Sequence, residues 1–229
     1  LASQFGSGLD GSLAVAFIAG FATVGALLAW KRPGNPIGWL LSAVGLTYAV
    51  GDCGVLLAHF PRTLTLAYWL GSVFLLGIGL CVFVLLLFPT GHLVSRRWRP
   101  VAWAAGAGLA GWVLGAVLAP TIISVSPSMR NPVGLTGPAG DIFKMTGLGG
   151  EVLIPATGLA AVLSLAFRYR RAGTAERAQL KWLVYAGALV VAAALAGMSA
   201  GTNLQNALVS GTVALVPVAI GIAVLRYRL

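Results

Sequence analysis

The stretch from residue 85 to residue 100 constrains the fold of this chain more than any other. An apolar run ends at Pro89, three arginines follow between Arg96 and Arg99, and a second apolar run begins at Val101. This is the pattern of two membrane-spanning helices joined by a tight basic loop. Because short loops rich in Lys and Arg remain on the cytoplasmic side of a membrane, this loop predicts the side of every other loop.

The composition also indicates a membrane protein. Of the 229 residues, 59% are hydrophobic and only 9% are charged, whereas a soluble domain carries about 25% charged residues. The net charge of +10 does not indicate a nucleic-acid-binding protein, because the basic residues lie at the ends of apolar runs and not on one exposed face. The lipid bilayer is therefore the predicted partner, and nucleic acid is not.

Seven apolar stretches are long enough to cross a membrane, since a span needs about 20 mostly apolar residues. They lie near residues 11–30, 36–58, 66–88, 101–124, 151–167, 180–201 and 205–225. The last two are separated only by the polar residues 202–205, which predict a tight hairpin.

The basic residues predict the orientation of these spans. With the N-terminus outside, only Arg62, Arg130 and Lys144 fall in outer loops. The other twelve fall in inner loops: Lys31, Arg32, Arg96, Arg97, Arg99, Arg168, Arg170, Arg171, Arg177, Lys181, Arg226 and Arg228. Since this asymmetry follows the positive-inside rule, the sequence predicts an all-α, polytopic membrane helix bundle. It has seven transmembrane helices, its N-terminus outside and its C-terminus in the cytoplasm.

Glycine is frequent in the predicted spans, where small residues let helix backbones approach closely. Two pairs have the four-residue spacing of close helix contacts, Gly111 with Gly115 and Gly197 with Gly201. Such pairs serve either packing within the bundle or the interface of a homodimer, and both alternatives stay open at this point.

The longest predicted outer loop runs from residue 124 to residue 150. It contains three prolines, Pro127, Pro132 and Pro138, and ends in the pair Gly149 and Gly150, with a short turn of helix near Asp141 to Met145. Loops of this length often act as lids or binding elements. A solvated linker is the alternative.

Three ionisable residues form the predicted ligand-sensing site. Asp52 lies in the outer part of the second span, His59 follows seven residues later, and Glu151 opens the fifth span at the same level. Because charged groups within a membrane are costly, each is a candidate functional residue, and together they predict an outward-facing polar pocket. Alternatively, Asp52 bonds a bundle neighbour such as Tyr48, and His59 and Glu151 only mark the interface.

No cofactor, metal site or catalytic group is predicted. Cys53 and Cys81 lie inside apolar runs, and no cluster of Cys and His has the spacing of metal ligands. His59 and His92 fall on opposite sides of the predicted membrane, so they cannot ligate one haem together. No Gly-rich phosphate-binding motif is present in the sequence.

The largest inner loop, residues 168–182, contains the predicted start of the sixth helix. Thr174 is a suitable N-cap, with Glu176 in the first turn. The loop is either a contact surface for an attached cytoplasmic domain or a surface anchor that binds anionic lipid headgroups.

Five fragments, taken in order, resemble the N-terminal membrane region of actinobacterial two-component sensor histidine kinases. They are Arg32–Leu41, Leu87–Trp98, Asn131–Leu135, Glu176–Trp182 and Val224–Leu229. The resemblance implies a bacterial plasma-membrane protein whose last span continues into a cytoplasmic dimerisation helix and an ATP-binding domain of the same parent chain. It also implies that the parent is a histidine protein kinase, whereas this segment carries no catalytic residues.

The predicted function is therefore that of a sensing and anchoring domain, which relays an outer or bilayer signal to a cytoplasmic kinase. Arg226 and Arg228 are the predicted coupling residues, because the seventh span ends there without a helix stop signal. The alternative is a small-solute transporter or channel, for which Pro155 and Pro217 would break helices.

Overall fold

The computed structural model describes residues 8–57, 59–120, 131, 133–197 and 215–226. All regular structure in these ranges is helical. The helices are α1 (Gly8–Lys31), α2 (Pro36–Leu57), α3 (Leu64–Ser72), α4 (Phe74–Leu87), α5 (Arg99–Leu118), α6 (Pro138–Arg171), α7 (Thr174–Gly197) and α8 (Leu215–Arg226), with short 3-10 helices at Pro61–Thr63 and Arg96–Trp98. The predicted all-α class is confirmed for this part of the chain.

Five stretches among the described residues are long and apolar enough to cross a membrane. They are Ala14–Lys31, Pro36–Gly54, Leu64–Leu87, Arg96–Leu118 and Pro138–Arg171. This finding is consistent with a membrane protein. The sixth and seventh predicted spans and the orientation stay predictions.

The fifth predicted span begins too late. The sequence places its start at residue 151, but α6 runs without interruption from Pro138 to Arg171. The glycines that predict a loop here pack against α5: a Cβ at Gly150 would lie 2.7 Å from the Trp112 Cβ. Close packing offsets the roughly 1 kcal/mol by which Gly disfavours a helix, so the predicted long outer loop is shorter than residues 124–150.

The fourth predicted span, 101–124, ends too late. Helix α5 ends at Leu118, and the buried Asn131 closes its last turn. The Asn131 amide donates to the carbonyls of Val117 at 2.8 Å and Ala119 at 2.9 Å, and the Leu135 amide donates to the Leu118 carbonyl at 2.9 Å. These bonds satisfy carbonyls that have no partner within the helix.

The third predicted span, 66–88, consists of two helices. Helix α3 ends at Ser72 and α4 begins at Phe74. The Ser72 hydroxyl donates to the Trp69 carbonyl at 2.7 Å, a local bond of the kind that competes with the helix backbone and bends it.

The chain forms two compact units. The first comprises Leu1–Leu46, Leu87–His92 and Leu165–Leu229, and the second comprises Thr47–Leu86 and Leu93–Ser164. Helices α2, α4 and α6 each contribute residues to both units.

In the first unit, α1 and α2 form a closely packed hairpin, and α8 packs against both α1 and α7. A Cβ at Gly25 would lie 2.6 Å from the Ser42 hydroxyl, and a Cβ at Gly221 would lie 2.9 Å from a Val24 methyl. These distances are shorter than van der Waals contact, so the small residues determine how closely the helices approach.

In the second unit, α5 and α6 approach closely along a row of glycines. A Cβ at Gly111 would lie 2.9 Å from the Thr146 carbonyl, and one at Gly115 would lie 2.8 Å from the Gly147 amide. This predicted glycine pair therefore serves packing within the chain. The second pair, Gly197 and Gly201, extends beyond the described residues. The core beside this contact consists of Val82, Leu86, Ala105, Ile154 and Ala161.

Candidate functional site

The first unit brings together three connections that are far apart in the sequence. They are the α1–α2 connection at residues 32–35, the turn after α4 at residues 88–92, and the end of α6 with the start of α7. The charge pattern predicts that all three lie on the same side of the membrane. Their meeting point is the candidate functional site.

Arg168 lies at the centre of this meeting point. Its side chain is only 8% exposed. Of the charged residues that the structure describes, Arg168 is the one that is buried. Its Nη1 donates to the Thr90 hydroxyl at 2.8 Å, and its Nη2 donates to the His92 carbonyl at 2.6 Å. A carboxylate oxygen of Glu176 lies 3.7 Å from Nη1.

These partners explain why a guanidinium can be buried here. An isolated charge leaves water only at a cost of many kcal/mol, so buried charges are paired and hydrogen-bonded. The planar guanidinium of Arg168 donates to two acceptors on the turn after α4 and forms an ion pair with Glu176 on α7, so that it joins the three segments. A second contact links α6 to α7, because the Arg177 guanidinium lies 5.8 Å from the centre of the Tyr169 ring.

The turn after α4 contains a glycine, Gly91, that its conformation and its surroundings both require. The φ of Gly91 is +80°, a backbone conformation that residues with a side chain rarely adopt. A Cβ at Gly91 would also lie 2.8 Å from the Asn35 side-chain oxygen. Gly91 is therefore required both for the backbone conformation and for the approach of the α1–α2 connection.

Asn35 connects this turn to the start of α2. Its side-chain oxygen accepts a hydrogen bond from the Ile37 amide at 3.0 Å, as an N-cap does. Its side-chain nitrogen donates to the Pro89 carbonyl at 3.3 Å. One amide thus begins a helix and holds a neighbouring loop.

A cleft of about 500 Å³ opens where these segments meet. Its lining consists of residues 31–35, Pro89 and Thr90, and Gln179 of α7. Lys31 and Arg32 are both exposed, and the lining that the structure describes contains no acidic residue. The cleft is therefore positively charged and is edged by hydrogen-bonding groups.

Helix α7 begins one residue earlier than predicted, at Thr174. The Gly173 carbonyl accepts the Arg177 amide at 2.9 Å, so the cap lies at Gly173 and Thr174 is the first helical residue. Glu176 lies in the first turn as predicted, where its charge is favourable for the helix dipole. Its carboxylate also faces Arg168.

The predicted ligand-sensing residues lie in the second unit. Asp52 is half-buried on α2, whereas Glu151 is exposed on α6, and neither carboxylate bonds another described residue. His59 is exposed and lies beyond the end of α2 at Leu57, where its Nδ1 is 3.3 Å from the Leu56 carbonyl. His59 therefore lies outside the helix that carries Asp52. The pocket itself stays a prediction.

The predicted coupling residues lie at the chain's C-terminal end. Arg226 is the last residue of α8, and Arg228 lies outside the described residues. Their coupling role stays a prediction.

Sequence reasoning missed the Arg168 site. The sequence assigned Arg168 only to the general basic character of its loop, and its partners Thr90 and His92 are 78 and 76 residues away. The sequence contained one signal for this site. At Pro89, Thr90 and Gly91, a hydroxyl residue stands between two turn-forming residues, a pattern that predicts a turn with an exposed hydrogen-bonding group.

The described residues contain no group of three His, Cys, Asp or Glu side chains that could hold a metal ion. No protein-family model matches the chain, and no curated protein or solved structure matches it either.

Proposed function

We propose that this chain is the membrane-embedded sensing and anchoring domain of a sensor histidine kinase. It would cross the bacterial plasma membrane seven times, with the N-terminus outside and the C-terminus in the cytoplasm. It would pass an outer or bilayer signal to a cytoplasmic kinase domain of the same parent protein. The resemblance of its five sequence fragments to such sensors is the starting point for this proposal.

The arrangement of the connections in the first unit supports the proposed orientation. Residues 32–35, the turn at residues 88–92 and the α6–α7 connection all have predicted inner positions, and they contact one another through Asn35 and Arg168. Loops on opposite sides of a bilayer are separated by about 30 Å of hydrocarbon. Mutual contact therefore favours a topology in which all three share one side.

The packing of α8 is the observation that carries the proposed signalling role. Helix α8, the last described element, packs along both α1 and α7, with Ile220 and Ala223 fully buried. Helix α7 begins at the turn that places Glu176 beside Arg168. A displacement of α7 at this end would therefore move a helix that leads toward the C-terminus.

A helix is a suitable output element because its backbone is rigid. If α8 continues past Arg226, a rotation or an axial shift of α8 reaches the segment that follows without loss. The signal enters elsewhere, and Asp52, His59 and Glu151 remain the proposed sensing residues. Arg226 and Arg228 would mark the point at which α8 leaves the membrane, where arginines hold a helix end at the interface.

The DNA sequence downstream of the Leu229 codon tests this proposal at once. We expect a continuing helix with a phosphorylatable histidine, followed by a nucleotide-binding domain. Purified parent protein should then incorporate phosphate from ATP at that histidine. A stop codon, or a downstream segment without these features, would contradict the kinase proposal and leave the small-solute transporter or channel as the function to test by solute uptake.

A further inference from the structure

We propose that the basic cleft of the first unit binds a phosphate group, carried either by an anionic lipid headgroup or by a small soluble phosphate. The cleft is the space of about 500 Å³ between the α1–α2 connection, the turn after α4 and Gln179. This inference does not depend on a kinase domain and goes beyond the sensing role.

The charge of the cleft selects an anion. Lys31 and Arg32 both line it, and none of the described residues that line it is acidic. Glu176 lies nearby, but its carboxylate faces the Arg168 guanidinium at 3.7 Å. Two adjacent cations without a carboxylate in the lining attract a group with more than one anionic oxygen, and Arg in particular binds phosphate oxygens in pairs.

The hydrogen-bonding groups of the cleft also fit a phosphate. The Thr90 hydroxyl accepts a hydrogen bond from Arg168 Nη1 at 2.8 Å. Because a guanidinium can only donate, this bond uses an acceptor site of Thr90 and leaves its O–H to donate. Since Thr90 lines the cleft and Arg168 does not, Arg168 supports a Thr90 hydroxyl that can donate to a ligand there.

The walls of the cleft are fixed before any ligand arrives. Asn35 bonds the Ile37 amide and the Pro89 carbonyl, and Gly91 packs against Asn35 and Pro36. A preformed site binds more tightly because little conformational entropy is lost on binding. A volume of this size falls in the range of small-ligand sites, about 300–1,000 Å³.

Two tryptophans place the cleft at the level of lipid headgroups. Trp30 is 82% exposed and Trp39 is 61% exposed, and they flank the α1–α2 connection in sequence. The Trp39 indole donates to the Pro33 carbonyl at 3.4 Å, so it lies directly beside the cleft. Exposed Trp residues at helix ends mark the membrane–water interface, where phosphate groups of anionic lipids are concentrated.

The test measures binding of dioleoyl-phosphatidylglycerol to the purified chain in a neutral detergent by native mass spectrometry. Dioleoyl-phosphatidylcholine, whose choline cancels the phosphate charge, is the comparison lipid. The cleft variant carries Lys31→Gln and Arg32→Gln. The matched control carries Arg96→Gln and Arg97→Gln, which removes the same charge from two exposed residues of another predicted inner loop.

We expect the cleft variant to bind phosphatidylglycerol about 30-fold more weakly than the wild type, because each basic residue near anionic lipid contributes about fivefold. The control pair should change the affinity much less. Thr90→Val, which keeps every charge, should also weaken binding. Two results would show that the cleft does not bind phosphate. In one, the two double variants lose the same affinity for phosphatidylglycerol; in the other, every variant binds this lipid as tightly as the wild type does.

Competition by millimolar inorganic phosphate at constant ionic strength identifies the source of the phosphate. If inorganic phosphate displaces the lipid from the wild-type chain and chloride at the same ionic strength does not, the cleft is assigned to a small soluble phosphate. Retention of the lipid would assign it to a headgroup. Absence of any preference for phosphatidylglycerol over phosphatidylcholine, together with no effect of inorganic phosphate, would overturn the proposal.

Discussion

Replacement of Arg168 by Met tests whether the buried guanidinium holds the first unit together. Met keeps most of the apolar stem of the side chain but removes the charge and all hydrogen-bond donors. The variant loses the hydrogen bonds to Thr90 and to the His92 carbonyl, and it leaves the Glu176 carboxylate without its cation. Arg170→Met is the matched control, because Arg170 lies on the same helix end and is exposed.

The magnitude follows from the two hydrogen bonds. A hydrogen bond to a charged group contributes about 1.5–3 kcal/mol, and part of that is recovered because Met needs no desolvation. We therefore expect a loss of about 3 kcal/mol for Arg168→Met. The control should lose less than about 0.5 kcal/mol, as exposed substitutions usually do. The pair of Arg168 with Glu176 adds little, since its atoms are 3.7 Å apart and Glu176 is 23% exposed.

Thermal unfolding in detergent micelles, followed by tryptophan fluorescence, measures the difference. With the unfolding entropy of a soluble chain of similar size, about 3 kcal/mol lowers Tm by roughly 6–12 °C. Both variants remove one positive charge from the same loop, so any effect of charge on membrane topology is shared. Arg168→Lys should lie between wild type and Arg168→Met, because one ammonium cannot reproduce the planar fork. Equal Tm values for Arg168→Met and Arg170→Met would refute the reasoning.

Three further predictions concern the second unit and the topology. Gly115→Ala should destabilise the chain by about 1–2 kcal/mol through overpacking against α6, whereas Gly106→Ala, whose Cβ would meet nothing nearer than 3.9 Å, should leave thermal stability unchanged or raise it. Asp52→Asn in the parent receptor should alter signalling without lowering its amount in the membrane; normal signalling at normal expression would remove it from the sensing site. In a background without the two native cysteines, a cysteine at Ser95 should be shielded from an impermeant thiol reagent in intact cells, and one at Thr136 should react; labelling at Ser95 would contradict the proposed orientation.

The sequence predicts helices well where apolar length alone decides the structure. The end of α1 and the start of α2 follow from the charged, Pro-rich connection between them, because its residues disfavour a helix whatever packs against them. The start of α6 could not be predicted, because Gly147 and Gly150 read as helix breakers until their contact with α5 is known. The end of α5 depends in the same way on Asn131, which lies outside the helix and caps it from a distance.

The candidate site was hidden from sequence reasoning for a different reason. Basic residues near a membrane all contribute to the same orientation signal. In the sequence, the buried Arg168 therefore cannot be distinguished from the exposed Arg170 two residues later. Only the fold separates them, since burial of Arg168 requires acceptors from a turn far away in the chain. Asp52 attracted attention because its charge lies within an apolar run, but the described structure gives it no partner that would assign a role.

Insertion of residues after Leu229 in the full parent protein tests the signalling account most directly. Each added helical residue turns the downstream face by about 100° and moves it by about 1.5 Å. Insertions of one to four alanines should therefore make kinase output rise and fall with helical phase, and an insertion close to a full turn should restore it. Kinase output that is the same for every insertion would contradict a role for α8 in transmission and would leave the chain a passive anchor.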